Sequence, residues 1–220
     1  MLLTNLITHD VPIVAPSDTY EYAKSLFTGA AIQHIPMVDN GQYIALISRK
    51  DLHQVDNPAE MLKASFFENF KPAVSAHAHP FEALRMLHMH DLSIIPVIYE
   101  HYEYAGSITK DTLLKYLVEN ISIDVQGGII VLEMEPRNYS LSEIARICEN
   151  EQVLVVSSQV KTNIETAKLE VTLKTNRTDL SALTQSFDRH SYTVLETYGD
   201  QQMENDIVDR YKLLMTYINM

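Results

Sequence analysis

Ile32-Gln33-His34-Ile35-Pro36-Met37-Val38 and Leu92-Ser93-Ile94-Ile95-Pro96-Val97-Ile98 follow the same pattern sixty residues apart. Each is an apolar run of strand length with a proline at its centre. The match extends outward, pairing Pro12 with Pro72, Val14 with Val74 and Ala23 with Ala83. Beyond the prolines the offset grows to sixty-one, and Ala45-Leu46-Ile47-Ser48 aligns with Gly106-Ser107-Ile108-Thr109. A fixed internal period of this length means a duplicated supersecondary unit.

Both copies read alike. In the first, Asp18 with Glu21 three residues on predicts a capping box opening a helix. Ala23, Leu26, Phe27 and Ala30 mark its apolar face. A strand over Ile35–Val38 then turns at Asp39-Asn40-Gly41-Gln42, where Asn-Gly supplies positive φ, into a return strand over Tyr43–Ile47. Lys50–Val55 is expected to start a second helix. In the second copy Pro80 suits the first helical position, and Ala83, Leu84, Met86 and Leu87 are its buried face.

Two in-phase copies of strand–helix–strand–strand–helix, each with a Pro-centred strand before a hairpin and a Ser/Thr after it, resemble a tandem pair of CBS domains. The resemblance covers residues 1–120, as repeats of about 1–60 and 61–120. It implies two clefts between the repeats, which in many relatives hold adenosine-containing ligands. The family's phosphate- and ribose-contacting motif matches Ser48-Arg49-Lys50-Asp51. A carboxylate such as Asp51 can accept from two ribose hydroxyls, and Ser48 with helix N-terminal amides can receive a phosphate beside Arg49 and Lys50. Pro12, Ile13 and Ile35 are implied as an apolar slot for the adenine ring. The second repeat departs from the motif: it reads Thr109-Lys110-Asp111-Thr112, and its carboxylate comes one residue early, about 100° around a helix. Thr109 and Asp111 are its counterparts. Read without a ligand, Ser48 is a cap and Asp51 a helix N-terminal charge.

The second half restarts after a connector over 121–127. A strand over Ile129–Met134 leads to a helix capped by Ser140 with Glu143, carrying Ile144, Ile147 and Cys148 on one side. Strands over Gln152–Ser157 and Lys168–Lys174, a helix over Asp179–His190 with Leu180, Leu183 and Phe187 inward, and a strand over Thr193–Thr197 complete a βαββαβ order. The expected fold class is therefore α+β: a CBS-domain pair, a ferredoxin-like domain over 128–199 that resembles an ACT domain, and a C-terminal helix over 200–220. Ile207, Tyr211, Leu214 and Ile218 give that helix its stripe. The combination resembles the acetoin-utilisation B-type proteins. ACT domains that hold amino acids usually carry Gly after the first strand, whereas this chain has Pro136-Arg137-Asn138-Tyr139-Ser140.

Composition bounds the function. The 220-residue chain has a net charge of −12. Residues 1–120 hold 8 basic and 14 acidic side chains and residues 121–220 hold 9 and 15, so each part is net −6. That balance argues against nucleic acid and anionic membranes as partners. A single cysteine, Cys148, excludes an internal disulfide, and no apolar run approaches a membrane span, so the expected location is cytoplasmic. The pairs His77/His79 and His88/His90 lack the spacing of a helical metal site, and no nucleotide-hydrolase or nucleophile-elbow motif is present. The expected function is a non-enzymatic regulatory sensor requiring no cofactor. Its regulatory ligand would be AMP, ADP, ATP or S-adenosylmethionine, and a homodimer would signal to an unidentified protein partner. The alternative is a ligand-free dimerisation scaffold.

Overall fold

The computed structural model describes residues 3–28, 32–54, 57–67 and 69–199. The expected helix over 200–220, with Ala30 and Val55, lies outside the described residues. The chain divides into two compact units, Met1–Tyr116 and Leu117–Met220.

In the first unit, α1 (Tyr20–Leu26) precedes the hairpin of β1 (His34–Asp39) and β2 (Gln42–Ser48). β3 (Val74–Ser75), α2 (Pro80–Met89), β4 (Ile94–Ile98), β5 (Tyr104–Thr109) and α3 (Lys110–Asn120) follow. The repeat is preserved to the register. Val14 bridges Met37 in parallel, and sixty residues on Val74 pairs Val97 in parallel. Pro36 helps explain why these opening strands are so short. Val14 donates to Pro36 O and Val38 donates to Val14 O, so residues 36 and 38 face that edge, and proline has no N–H to extend its ladder.

The strands read as continuous apolar runs because they are buried on both faces. On β2, Ala45 and Ile47 join one core with Ile35, Met37, Ala23 and Phe27. Tyr43 and Leu46 join the other, with Val74, Ile95, Val97 and Leu113 of the second repeat. The repeats also exchange their leading segments. Thr8 and Ser107 bond reciprocally beside β5, and at the equivalent position of β2 Leu46 donates to Phe70 O. Gly106 allows the first crossing: with φ +141, a Cβ there would lie 2.3 Å from Ile7 Cγ2.

Asn40 and Gly41 have φ of 49° and 79°, as the Asn-Gly turn requires. Two local expectations change. Asp18 does not cap α1, because its carboxylate accepts from Ala15 N–H at 2.7 Å; Thr19 caps instead, accepting from Tyr22 N–H. The second helix of the first repeat opens as 3-10 over Asp51–Gln54. Asn57-Pro58 disfavours helix beyond it. Pro58 and Glu60 carbonyls then accept from Glu21 and Tyr20 N–H, satisfying the start of α1.

The second unit runs β6 (Ile129–Met134), α4 (Leu141–Asn150), β7 (Val155–Thr162), β8 (Leu169–Thr175), α5 (Ser181–Arg189) and β9 (Thr193–Tyr198). The sheet order is β7-β8-β6-β9, all antiparallel. β7 begins three residues later than expected from sequence. Alternate residues Ile130, Leu132, Val171 and Leu173 pack against Ile144, Ile147, Leu183 and Phe187 of the helices. Ser140 caps α4 from Glu143 N–H at 3.3 Å, but the Glu143 carboxylate turns to the Tyr192 hydroxyl at 3.1 Å.

Helices α2, α4 and α5 end alike. Leu92, Val153 and Tyr192 donate to Leu87, Cys148 and Phe187 carbonyls, with Asp91, Gln152 and Ser191 at positive φ before them. Glycine is the usual residue at that place.

Candidate functional site

In the first unit a cleft of about 320 Å³ lies where the two repeats meet. The first repeat supplies Gln33 and His34, at the start of β1, and Ser48, Arg49 and Lys50, at the end of β2. The second supplies His90 and Asp91 from the end of α2, Ser93 before β4, and Lys110 at the start of α3. The site is legible as a consequence of duplication: Gln33 and Ser93 are equivalent positions, as are Arg49 and Lys110.

The two sides are joined by hydrogen bonds. Gln33 N–H donates to Ser93 Oγ at 2.8 Å, and Ser93 N–H donates to His34 Nδ1 at 3.2 Å. Lys110 Nζ lies 3.2 Å from the exposed Asp91 carboxylate. Burial is the largest influence on His34 and lowers its pKa; Asp51 and Asp91 oppose this, and Lys110 and Lys50 reinforce it.

Ser48 and Asp51 form a reciprocal pair. Ser48 N–H donates to Asp51 Oδ2 at 2.9 Å, and Asp51 N–H donates to Ser48 Oγ at 3.2 Å. This is the reciprocal geometry of a capping box, with Asp in the place of the usual Glu or Gln. The second repeat builds half of it, with Thr112 N–H donating to Thr109 Oγ1 at 3.1 Å and the two hydroxyls 2.9 Å apart. Thr112 thus takes the place of Asp51, and Asp111 is exposed on α3.

The expected site residues therefore separate. Ser48, Arg49 and Lys50 line the cleft, and Asp51 is bonded to Ser48 beside it. Pro12 is half-buried and Ile13 is 45% exposed, ahead of the Val14 bridge. Ile35 is 0% exposed within the first repeat's core, so it has no surface to offer a ring. Gln33, His34, His90, Asp91, Ser93 and Lys110 are lining residues that no single motif indicates.

Elsewhere, His79 has a structural task, its Nδ1 accepting from Phe81 N–H at the start of α2. No group of three or more His, Cys, Asp and Glu suited to a metal occurs among the described residues. No helix among them is long and apolar enough to cross a membrane. In the second unit a cleft of about 520 Å³ is lined by Arg137, Tyr139, Glu143, Lys168 and Tyr192, among others. Lys168 pairs with Glu133 there at 2.7 Å. Burial, with the Glu143 bond, pushes the Tyr192 hydroxyl up to about 12.

The sequence profile of the CBS domain matches residues 3–56 and 70–119. Among curated proteins, an inosine-5'-monophosphate dehydrogenase of Korarchaeum cryptofilum (strain OPF8) is 24% identical over 128 residues, 58% of this chain. The chain spans only 27% of that enzyme's length. Among solved structures, AcuB of Vibrio cholerae, named for acetoin utilization, is 19% identical with a TM-score of 0.47, over 56% of this chain and 95% of that one. CBSX2 in complex with AMP is 15% identical with a TM-score of 0.44, over 54% and 96%.

Proposed function

Because the chain carries a tandem pair of CBS domains, we propose that it is a regulatory protein whose cleft binds an adenine nucleotide. The observation that carries this reading is the charge of the cleft. In a chain of net −12, Arg49, Lys50 and Lys110 converge from both repeats around the half-buried His34. These cations outnumber the one carboxylate lining the cleft, Asp91, which Lys110 pairs at 3.2 Å; the excess favours an anion, and guanidinium and ammonium donors suit phosphate oxygens. Ser48 adds a hydroxyl. Asp51 stands beside them as the acceptor for a ribose, and Pro12 and Ile13 are the apolar surface for the base.

In this reading AMP, ADP, ATP or S-adenosylmethionine is a regulatory ligand rather than a substrate. The nucleotides carry the phosphate that the cations select for. The ligand shifts a homodimer between arrangements by binding them unequally, and a partner protein reads the change. The second unit is the ACT-like domain, about 128–199, a reading supported by its βαββαβ order and its β9-β6-β8-β7 sheet. The location is cytoplasmic.

One observation favours a second reading, a ligand-free assembly scaffold. Ser48, Asp51, Thr109 and Thr112 already bond within the chain, so the motif has a structural use without a ligand. A thermal-shift panel separates the two. A nucleotide at one hundred times its dissociation constant adds about 2.7 kcal/mol, roughly 5–10 °C for a protein of this size. A rise with adenine nucleotides supports the sensor. A flat panel at millimolar nucleotide supports the scaffold.

A further inference from the structure

One of the hydrogen bonds that join the repeats at this cleft is made by a histidine ring. Ser93 N–H can only donate, so His34 Nδ1, which accepts it at 3.2 Å, carries no hydrogen, and the neutral ring is protonated on Nε2. Ser93 Oγ, also 3.2 Å from Nδ1, accepts from Gln33 N–H. Protonating Nδ1 would set two donors against each other and release the Ser93 amide. The Ser93 amide bond therefore requires the neutral ring, whereas a protonated Nδ1 would donate to Ser93 Oγ instead and leave the Gln33–Ser93 bond in place. Among the described residues, the charged and titratable groups facing this ring are Asp51, Lys50 and Arg49 after β2, Asp91 and His90 at the end of α2, and Lys110 opening α3.

We propose that His34 makes ligand binding in this cleft proton-linked: an anion seated among Arg49, Lys50 and Lys110 draws a proton onto Nδ1 and releases the Ser93 amide. The inference rests on reading the cleft as a phosphate site. Its physical basis is charge. Burial disfavours the imidazolium most, the Asp51 and Asp91 carboxylates favour it, and Lys110 and Lys50 disfavour it; a phosphate seated on the lysines offsets their contribution and adds negative charge to that of the carboxylates. Binding energy is thereby turned into loss of one of the bonds that join the first repeat to the second at the cleft. A charge in the cleft becomes a change in how the repeats are held.

The test is calorimetric titration of AMP at pH 6.5 in two buffers of different ionisation enthalpy, on the full chain and on His34→Gln. The AMP phosphate titrates in the same range, so the readout is the difference between the proteins. Wild type is expected to take up about half a proton more than the variant, and its affinity to rise about three- to tenfold more from pH 8 to pH 6. Equal proton uptake and equal pH slopes overturn the assignment to His34 and leave the phosphate site standing. No AMP binding by wild type at any pH overturns both. Should His34→Gln fail to fold, the ¹⁵N shifts of His34 in the wild-type protein decide. A move from the neutral Nε2–H form to imidazolium on adding AMP supports the proposal, and an unchanged ring refutes it.

Discussion

Asp51→Ala separates the two uses of one carboxylate. Asp51 Oδ2 accepts Ser48 N–H at 2.9 Å while Asp51 N–H donates to Ser48 Oγ at 3.2 Å. Alanine removes the first bond and leaves the second. Losing a side-chain cap costs about 0.5–2 kcal/mol, and at this exposed turn a value of about 1 is expected. If Asp51 also holds a ribose, the variant loses charged hydrogen bonds to the ligand, about 1.5–3 kcal/mol, or roughly ten- to a hundredfold in affinity. Ser48→Ala is the matched comparison for stability: it removes the other half of the pair and keeps the carboxylate, and it also removes the hydroxyl assigned to the phosphate. Urea unfolding reads the stability of both variants, and calorimetric titration with AMP reads affinity. The account expects similar stability losses in the two variants and a roughly ten- to hundredfold affinity loss for Asp51→Ala. If Asp51→Ala is destabilised yet binds AMP as wild type does, the carboxylate is a cap and the ribose assignment is refuted.

Three further outcomes follow from packing and backbone geometry. Gly106→Ala forces a Cβ to within 2.3 Å of Ile7 Cγ2 at φ +141, so equilibrium unfolding should show a loss of about 1–3 kcal/mol; an unchanged midpoint would contradict the crossing described here. Gln152→Gly relieves a positive φ of 57° at the end of α4 and should raise the unfolding midpoint by an amount worth about 0.5–1 kcal/mol, whereas a fall would mean that the glutamine side chain has a role of its own. Cys148 is 1% exposed and burial pushes its thiol up to about 11, so iodoacetamide at pH 8 should label it only as fast as the second unit opens; rapid labelling of native protein would refute that burial.

The parts of the fold legible in the sequence were those with local signals. The Pro-centred strands, the Asn-Gly hairpin, Pro80 at the start of α2 and the alternation of β6 and β8 each express a backbone requirement within a few residues. The differences arose where a neighbouring backbone group or a distant segment competed. Asp18 was taken for a cap, but Ala15 N–H claims its carboxylate and Thr19 serves instead. The helix expected from Lys50 opens as 3-10 over Asp51–Gln54, and a few residues on Pro58 and Glu60 carbonyls serve the start of α1. Ile35 was placed in a ligand slot by motif, yet strands buried on both faces give such a residue no free surface. The cleft was half visible. Ser48, Arg49 and Lys50 stand in one motif, whereas His34, Ser93 and Lys110 come together only when the two repeats are superposed on their own period.

The central claim is that cations from both repeats select an adenine nucleotide. Its most direct test is calorimetric titration of AMP and ATP into wild type and into Arg49→Ala/Lys110→Ala, which removes one cation from each equivalent position. The account predicts measurable binding by wild type that weakens with added salt, and a loss of at least tenfold in the double variant. Binding of equal strength in the two proteins, or no binding of either nucleotide by folded wild type, would contradict it.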